Sequence, residues 1–214
     1  MKGLLKNNFF AVLSNMKVFM AFMLMLGIFV VSVISPSLLI GYALLSTVGF
    51  SVIAITGIKK EFVSKWGKYK LTLPVKRENI IKSYFISQLI WLIAGVALTG
   101  AAISLSWLLH GCPFDIPTDA LTVTALGISV SLFMGAMFFP LFYLGGADKC
   151  DVFLVITLIC AFVIDGVIVS ITNKLLEPGT YTALFGAGIL IICSLLAFCI
   201  SYPLTVSIYG RKEY

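Results

Sequence analysis

Charge is what this sequence has least of. Asp, Glu, Lys and Arg make up 11% of its 214 residues, while 60% are hydrophobic. A soluble domain carries about 25% charged residues, so there is too little polar side chain here to coat a water-soluble globule. Histidine occurs once, at His110, and no H-E-x-x-H is present, which excludes an intramembrane zinc protease of that type. Five cysteines occur, Cys112, Cys150, Cys160, Cys193 and Cys199, without a C-x-x-C among them, so zinc-ribbon and dithiol redox motifs are excluded. Four of the five lie in or at the ends of apolar runs, where a free thiol behaves as a small hydrophobe. No G-x-x-x-x-G-K-[ST] is present, so the chain has no P-loop of its own for ATP. An aspartyl dyad needs two buried acids, and only Asp165 falls inside an apolar run. Gly127-Ile128-Ser129-Val130 offers a candidate nucleophile, but Ser129 then needs a base, and the lone His110 is expected outside the membrane. No catalytic and no metal-binding residue is expected, and the chain is not expected to be an enzyme by itself.

What is present is apolar sequence in long blocks. An integral membrane protein is the class that fits. The net charge of +6 does not point to nucleic acid, because the basic residues cluster between apolar runs, as residues that orient a membrane protein do. Lys2 and Lys6 ahead of an apolar run resemble the start of a signal peptide. The run does not stop after ~15 residues and no A-x-A-like site follows, so this segment is expected to be retained.

Residues 1–17 place Leu5, Phe9, Val12 and Met16 on one helical face, which predicts a helix lying in the membrane interface. A plain extension of the first span is the alternative, since Phe10 breaks the pattern. Val18–Ile58 then runs for 41 residues without a charge. As one helix it would reach ~60 Å, twice the ~30 Å hydrocarbon core. Ser35-Pro36-Ser37 near its middle divides it into two spans, because proline breaks a helix interior. Polar breaks further on complete a single transmembrane domain over residues 1–214. Its six spans are expected at about 18–35, 38–58, 80–109, 121–144, 152–172 and 181–209. The fold class is therefore all-α integral membrane.

Six spans put both termini on one side. That side holds 14 of the 15 basic residues, and only Lys174 lies on the other. The positive-inside rule makes it the cytoplasm. Helix contacts in lipid should use small residues; the candidates are Gly127, Ser131 and Gly135 in span 4, and Ala183 and Ala187 with Gly186 and Gly188 in span 6.

Two places invite a functional reading. Asp165 is the one charge in mid-span, and an ionised acid there costs ~3 kcal/mol or more. It is either a pathway or proton-relay group, for which Asp165→Asn should impair transport, or an acid held neutral or paired inside the bundle. The other place is Lys59–Lys82, where 24 residues carry ten of the chain's 24 formal charges. Phe62, Trp66 and Tyr69 form one helical stripe there, and Leu73-Pro74 stops the helix. Lys76-Arg77 then form a basic collar ahead of span 3. Such a segment either lies on anionic headgroups or fills a groove on a partner with its aromatic stripe.

The stretch EFVSKWGKYKLTLPVKRENIIKSYF resembles the first cytoplasmic loop of the ABC-2 type permeases, the membrane subunits of a class of bacterial ABC exporters. The resemblance rests on Glu61, Lys65, Trp66, Tyr69, Leu73, Pro74, Arg77, Ile81 and Tyr84. Pro140–Lys149 and Ser201–Tyr214 are similar to two further stretches of that family. The resemblance implies a coupling helix over Glu61–Tyr69 between spans 2 and 3, docked on a separate ABC ATPase subunit present in two copies. Its contacts would be Glu61, Phe62, Lys65, Trp66, Tyr69, Leu73, Pro74, Lys76 and Arg77. It also implies a second permease chain, identical or not, with substrate passing near the interface at spans 1, 2 and 5. ATP and magnesium would sit on the ATPase and no cofactor on this chain. The implied location is the cytoplasmic (inner) membrane of a bacterium, in contact with lipid, with no nucleic-acid partner. The implied function is export of an amphipathic substrate, with a flavour similar to exporters of phenol-soluble modulins or antimicrobial peptides. A non-transporting immunity or sensor protein, and a proton-coupled carrier using Asp165, are the alternatives.

Overall fold

The computed structural model describes residues 2–33, 35–63, 77–111, 114, 117–175 and 180–211. Among them the regular structure is helical: α1 (Lys2–Val33), α2 (Pro36–Val63), α3 (Arg77–His110), α4 (Pro117–Gly145), α5 (Cys150–Leu175) and α6 (Thr180–Arg211), with a 3₁₀ turn at Ala147–Lys149. All six long helices contain a stretch apolar and long enough to cross a membrane: Met16–Val33, Pro36–Lys59, Glu78–His110, Thr118–Gly145, Cys150–Leu175 and Thr182–Arg211. The shortest of them, 18 residues, reaches ~27 Å at ~1.5 Å per residue, close to the ~30 Å core.

Local chemistry sets the helix ends. Pro36 opens α2, where its missing N–H costs no bond, and the Ser35 carbonyl accepts the first helical hydrogen bond from Leu39 N at 3.1 Å. Gly111 closes α3 at φ 85° and Gly146 closes α4 at φ 85°. Their amides donate to Trp107 O and Phe142 O, each at 3.0 Å, satisfying carbonyls left over at the helix ends. α4 begins at Pro117, ahead of the Leu121 start set by hydropathy. Pro117 and Asp119 belong to its first turn, where proline fits and an acid complements the helix dipole.

The N-terminal segment differs from the separate interfacial helix that its pattern predicts. It is one helix with the first span, from Lys2 to Val33. Its apolar face is covered by protein at Val12 and Met16, both buried, and Val12 packs into the notch left by Gly57 of α2. Phe9 stacks on Trp91 of α3, with centroids 5.0 Å apart and planes 9° apart. Asn8 Nδ2 donates to Ser83 Oγ of α3 at 2.8 Å.

The core has two parts. One joins α1 to α2 and α3 around Met16, Met23, Tyr42, Phe50 and Trp91. The other surrounds α4, where Phe85 of α3 lies 4.3 Å from Phe139 of α4 and 4.9 Å from Phe198 of α6, centroid to centroid. α4 is the central helix: 78% of its span is buried, against 17% for α5 and for α6.

Candidate functional site

The charged island leaves α2 and enters α3. Glu61 and Phe62 continue the α2 helix and Arg77 opens α3. Lys65, Trp66, Tyr69, Leu73, Pro74 and Lys76 lie outside the described residues, and so does the expected coupling helix beyond Val63. Its two roots are described, and both are tied to the bundle. At the α2 root Lys59 Nζ pairs with Asp151 Oδ2 at the start of α5, 2.5 Å away. At the α3 root Ser83 Oγ donates to Ile80 O at 2.6 Å and accepts from Asn8 of α1. One end of the bundle thus gathers the start of α1, the end of α2 and the starts of α3 and α5.

Below these roots, small and hydroxyl residues let α2, α3 and α4 approach closely. Ser46 Oγ of α2 donates to Gly95 O of α3 at 3.0 Å, and a Cβ at Gly95 would stand 3.0 Å from Ser46 O. The stripe singled out in α4 is the other half of this contact. A Cβ at Gly127 would overlap Thr47 Oγ1 of α2, and one at Gly135 would overlap the Gln88 amide of α3. Between them Ser131 Oγ donates to Gly127 O at 2.8 Å and lies 3.2 Å from Thr47 O, while Gln88 Nε2 donates to Ser131 O at 2.9 Å. At Gly95 backbone meets backbone, and at Gly127 and Gly135 a polar side chain of a neighbouring helix fills the space a Cβ would take, the close polar packing that lipid favours because apolar contact alone gives helices no preference for each other.

The small residues of α6 do something different. Of its two glycines there, Gly186 meets Thr172 of α5 at an ordinary 3.6 Å, and Gly188 faces open space. Ala183, Gly186 and Ala187 instead line a cavity of about 230 Å³, together with Thr122 of α4 and Thr172 and Asn173 of α5. It lies at the end of the bundle away from the island roots. Beyond Thr172 an apolar cavity of about 430 Å³ continues between Ile168, Leu175, Ile189 and Cys193.

Asp165 is 3% exposed, on the inner stripe of α5 with Thr157, Ala161 and Thr172. Its Oδ2 lies 2.7 Å from Ser129 Oγ of α4, and its Oδ1 has no hydrogen-bond partner among the described residues. It lines none of the cavities described above or the two smaller ones near Asn8 and Gly27. Ser129, weighed above as a nucleophile, has no histidine beside it. Its partner is an acid, and His110 is exposed at the end of α3. The sequence offers no sign of the Ser129–Asp165 contact, because the two stand 36 residues apart on different helices.

Six long apolar helices, a buried polar seam through three of them and a basic island at one end define a polytopic helical membrane protein. The family described as ABC-2 family transporter protein matches residues 3–210, and the chain belongs to that family. It is a membrane subunit of an ABC transporter, and membership implies partnership with an ABC ATPase subunit. No curated protein matches the chain, and no solved structure does.

Proposed function

We propose that the chain is the permease of an exporter for amphipathic peptides in a bacterial cytoplasmic membrane. A separate ATPase drives it by docking on the segment Glu61–Tyr69. The reading rests on one observation above the others. The helices that carry the island, α2 and α3, are hydrogen-bonded to each other through Ser46 and Gly95, and both are locked to α4 through Thr47 and Gln88. A displacement applied at the island is therefore passed to the bundle as a rigid-body shift rather than absorbed by bending, because close-packed helices rearrange between discrete states.

The remaining parts follow from charge and composition. Fourteen of 15 basic residues fall on the island side, which supports cytoplasmic termini and puts the island where an ATPase works. ATP and magnesium are bound by the partner and not by this chain. Two copies of the ATPase and a second permease chain complete the assembly. Uncharged spans 1 and 2 suit an apolar or amphipathic cargo better than a sugar.

Co-purification with a lone ABC ATPase tests the reading. Wild-type chain retains the ATPase, and Trp66→Ala or Arg77→Ala releases it, since aromatic and Arg anchors carry ~2 kcal/mol or more of an interface each. A wild-type chain that never associates with such an ATPase overturns the proposal. In proteoliposomes of the complex, an amphipathic helical peptide stimulates ATP hydrolysis and a neutral oligosaccharide does not. A reporter active only outside the cytoplasm, fused to the C-terminus, stays silent.

A further inference from the structure

We infer that Asp165 carries a proton at neutral pH and, through it, fastens α5 to α4. The count of hydrogens at Ser129 leads there. Ser129 Oγ lies 2.9 Å from the Leu126 carbonyl of its own helix and 2.7 Å from Asp165 Oδ2. A hydroxyl has one hydrogen to donate, and a carbonyl and a carboxylate both only accept. With Asp165 ionised, that one hydrogen is shared between two acceptors, which weakens both contacts, or serves one and leaves the other an unbonded approach of two oxygens. With Asp165 protonated, both are hydrogen bonds: the carboxylic O–H donates to Ser129 Oγ, and Ser129 O–H donates to Leu126 O.

The surroundings favour the same state. A buried carboxylate needs several donors or a cation. Among the described residues Asp165 has a single hydrogen-bond partner, and its Oδ1 has none. The charged side chains of the elements that meet α5 all lie at element ends among the described residues: Lys59 near the end of α2, Asp119 at the start of α4, Asp148 and Lys149 in the 3₁₀ turn, and Arg211 at the end of α6. On α5 itself, Asp151 and Lys174 stand in the first and last turns. None reaches Asp165. A protonated acid leaves only one carbonyl-like oxygen unpartnered, a far smaller cost than a bare anion in hydrocarbon.

The bond matters because α5 has few others. The hydroxyls of Thr157 and Thr172 turn back onto their own helix, at Leu154 O and Ile168 O. Among the described residues, the α5 side chains that hydrogen-bond to another helix are Asp151, at the surface, and Asp165, in the middle. Asp165 is thus a positioning residue for an otherwise loosely held helix. The sequence left open a pathway group or a neutral interior acid, and this contact assigns the second.

The test uses the full-length purified chain in lipid nanodiscs and does not depend on the cargo or the ATPase. Infrared difference spectra of wild type against Asp165→Asn show the carbonyl stretch of a protonated carboxylic acid at neutral pH, lost in the variant. Asp165→Asn, whose amide can donate to Ser129 in place of the acid, keeps the wild-type melting temperature. Asp165→Leu and Ser129→Ala each lower it by several degrees. Absence of the carboxylic-acid band at neutral pH overturns the inference. So does an Asp165→Asn variant that melts as low as Asp165→Leu, because a neutral donor would then not be what the site requires.

Discussion

α4 and α5 are neighbours of similar length, yet hydropathy orders them opposite to burial. The α4 span has mean hydropathy 1.9 and is 78% buried; the α5 span has mean hydropathy 2.9 and is 17% buried. In water the greasier helix would sit inside. Here the medium is itself apolar, so Val155, Ile159, Phe162, Val163 and Val167 of α5 lose nothing by facing out. α4 holds its central place with Gly127, Ser129, Ser131 and Gly135, which let side chains of neighbouring helices come close and give polar groups partners. Hydropathy therefore finds the spans of this chain, and the contacts made at the small and hydroxyl residues of α4 mark it as the central one.

The largest expected effect sets a glycine of one helix against a glycine of the other. A Cβ at Gly127 meets Thr47 Oγ1 and lies 3.0 Å from Thr47 Cβ, a short branched side chain on a packed helix with little room to yield. A Cβ at Gly166 of α5 meets nothing within 4 Å. Gly127→Ala should destabilise by about 1–3 kcal/mol, as overpacking does, and Gly127→Leu should prevent folding. Gly166→Ala should stabilise by up to about 1 kcal/mol through helix propensity. Thermal unfolding in detergent reads both. Equal responses at the two positions would break the comparison.

Much of this contrast is visible in the sequence, but only on one side of each contact. Six spans, the break at Pro36 and the limits of the island follow from charge and apolar length, which need no partner to be recognised. Gly127, Ser131 and Gly135 stand out as a small-residue stripe for the same reason. That Thr47 and Gln88 fill the stripe is invisible, since it depends on the relative slide of helices distant in sequence. The same gap separates Ser129 from Asp165. Ala183, Gly186 and Ala187 show its converse: the pattern matches a contact stripe, and the residues line a cavity. At the N-terminus, an apolar face has the same periodicity whether it meets lipid headgroups or, as Val12 and Met16 do, other helices.

A smaller effect concerns a proline at the centre of the bundle. Pro140 lies inside α4, so the Ala136 carbonyl one turn earlier loses its helical donor. Ser201 Oγ of α6 donates to that carbonyl at 2.6 Å. In hydrocarbon an orphaned carbonyl needs such a donor, so Ser201→Ala should cost about 1 kcal/mol. Pro140→Ala restores the helical N–H and should remove most of that cost in the double variant. A double-mutant cycle with additive losses would mean that Ser201 stabilises α6 for some other reason, and that α4 tolerates its proline unaided.

The smallest effect is expected on the outer face of α5, and its size carries information about assembly. Val163 is 59% exposed on a face shared with Ile156 and Ile159. If lipid covers that face, Val163→Leu exchanges one apolar contact for another and also favours the helix slightly. The melting temperature should then stay unchanged in both the isolated chain and the assembled transporter. If the second permease chain covers it, the added methylene disturbs a packed surface, which typically costs about 1–3 kcal/mol. The loss would appear only in the assembled form, as a lower melting temperature or a shift toward the single chain on size-exclusion chromatography. A loss confined to the assembled form would show that α5 is a rim helix of one chain and a central helix of the complex, and its high hydropathy would then mark an interface rather than a lipid surface.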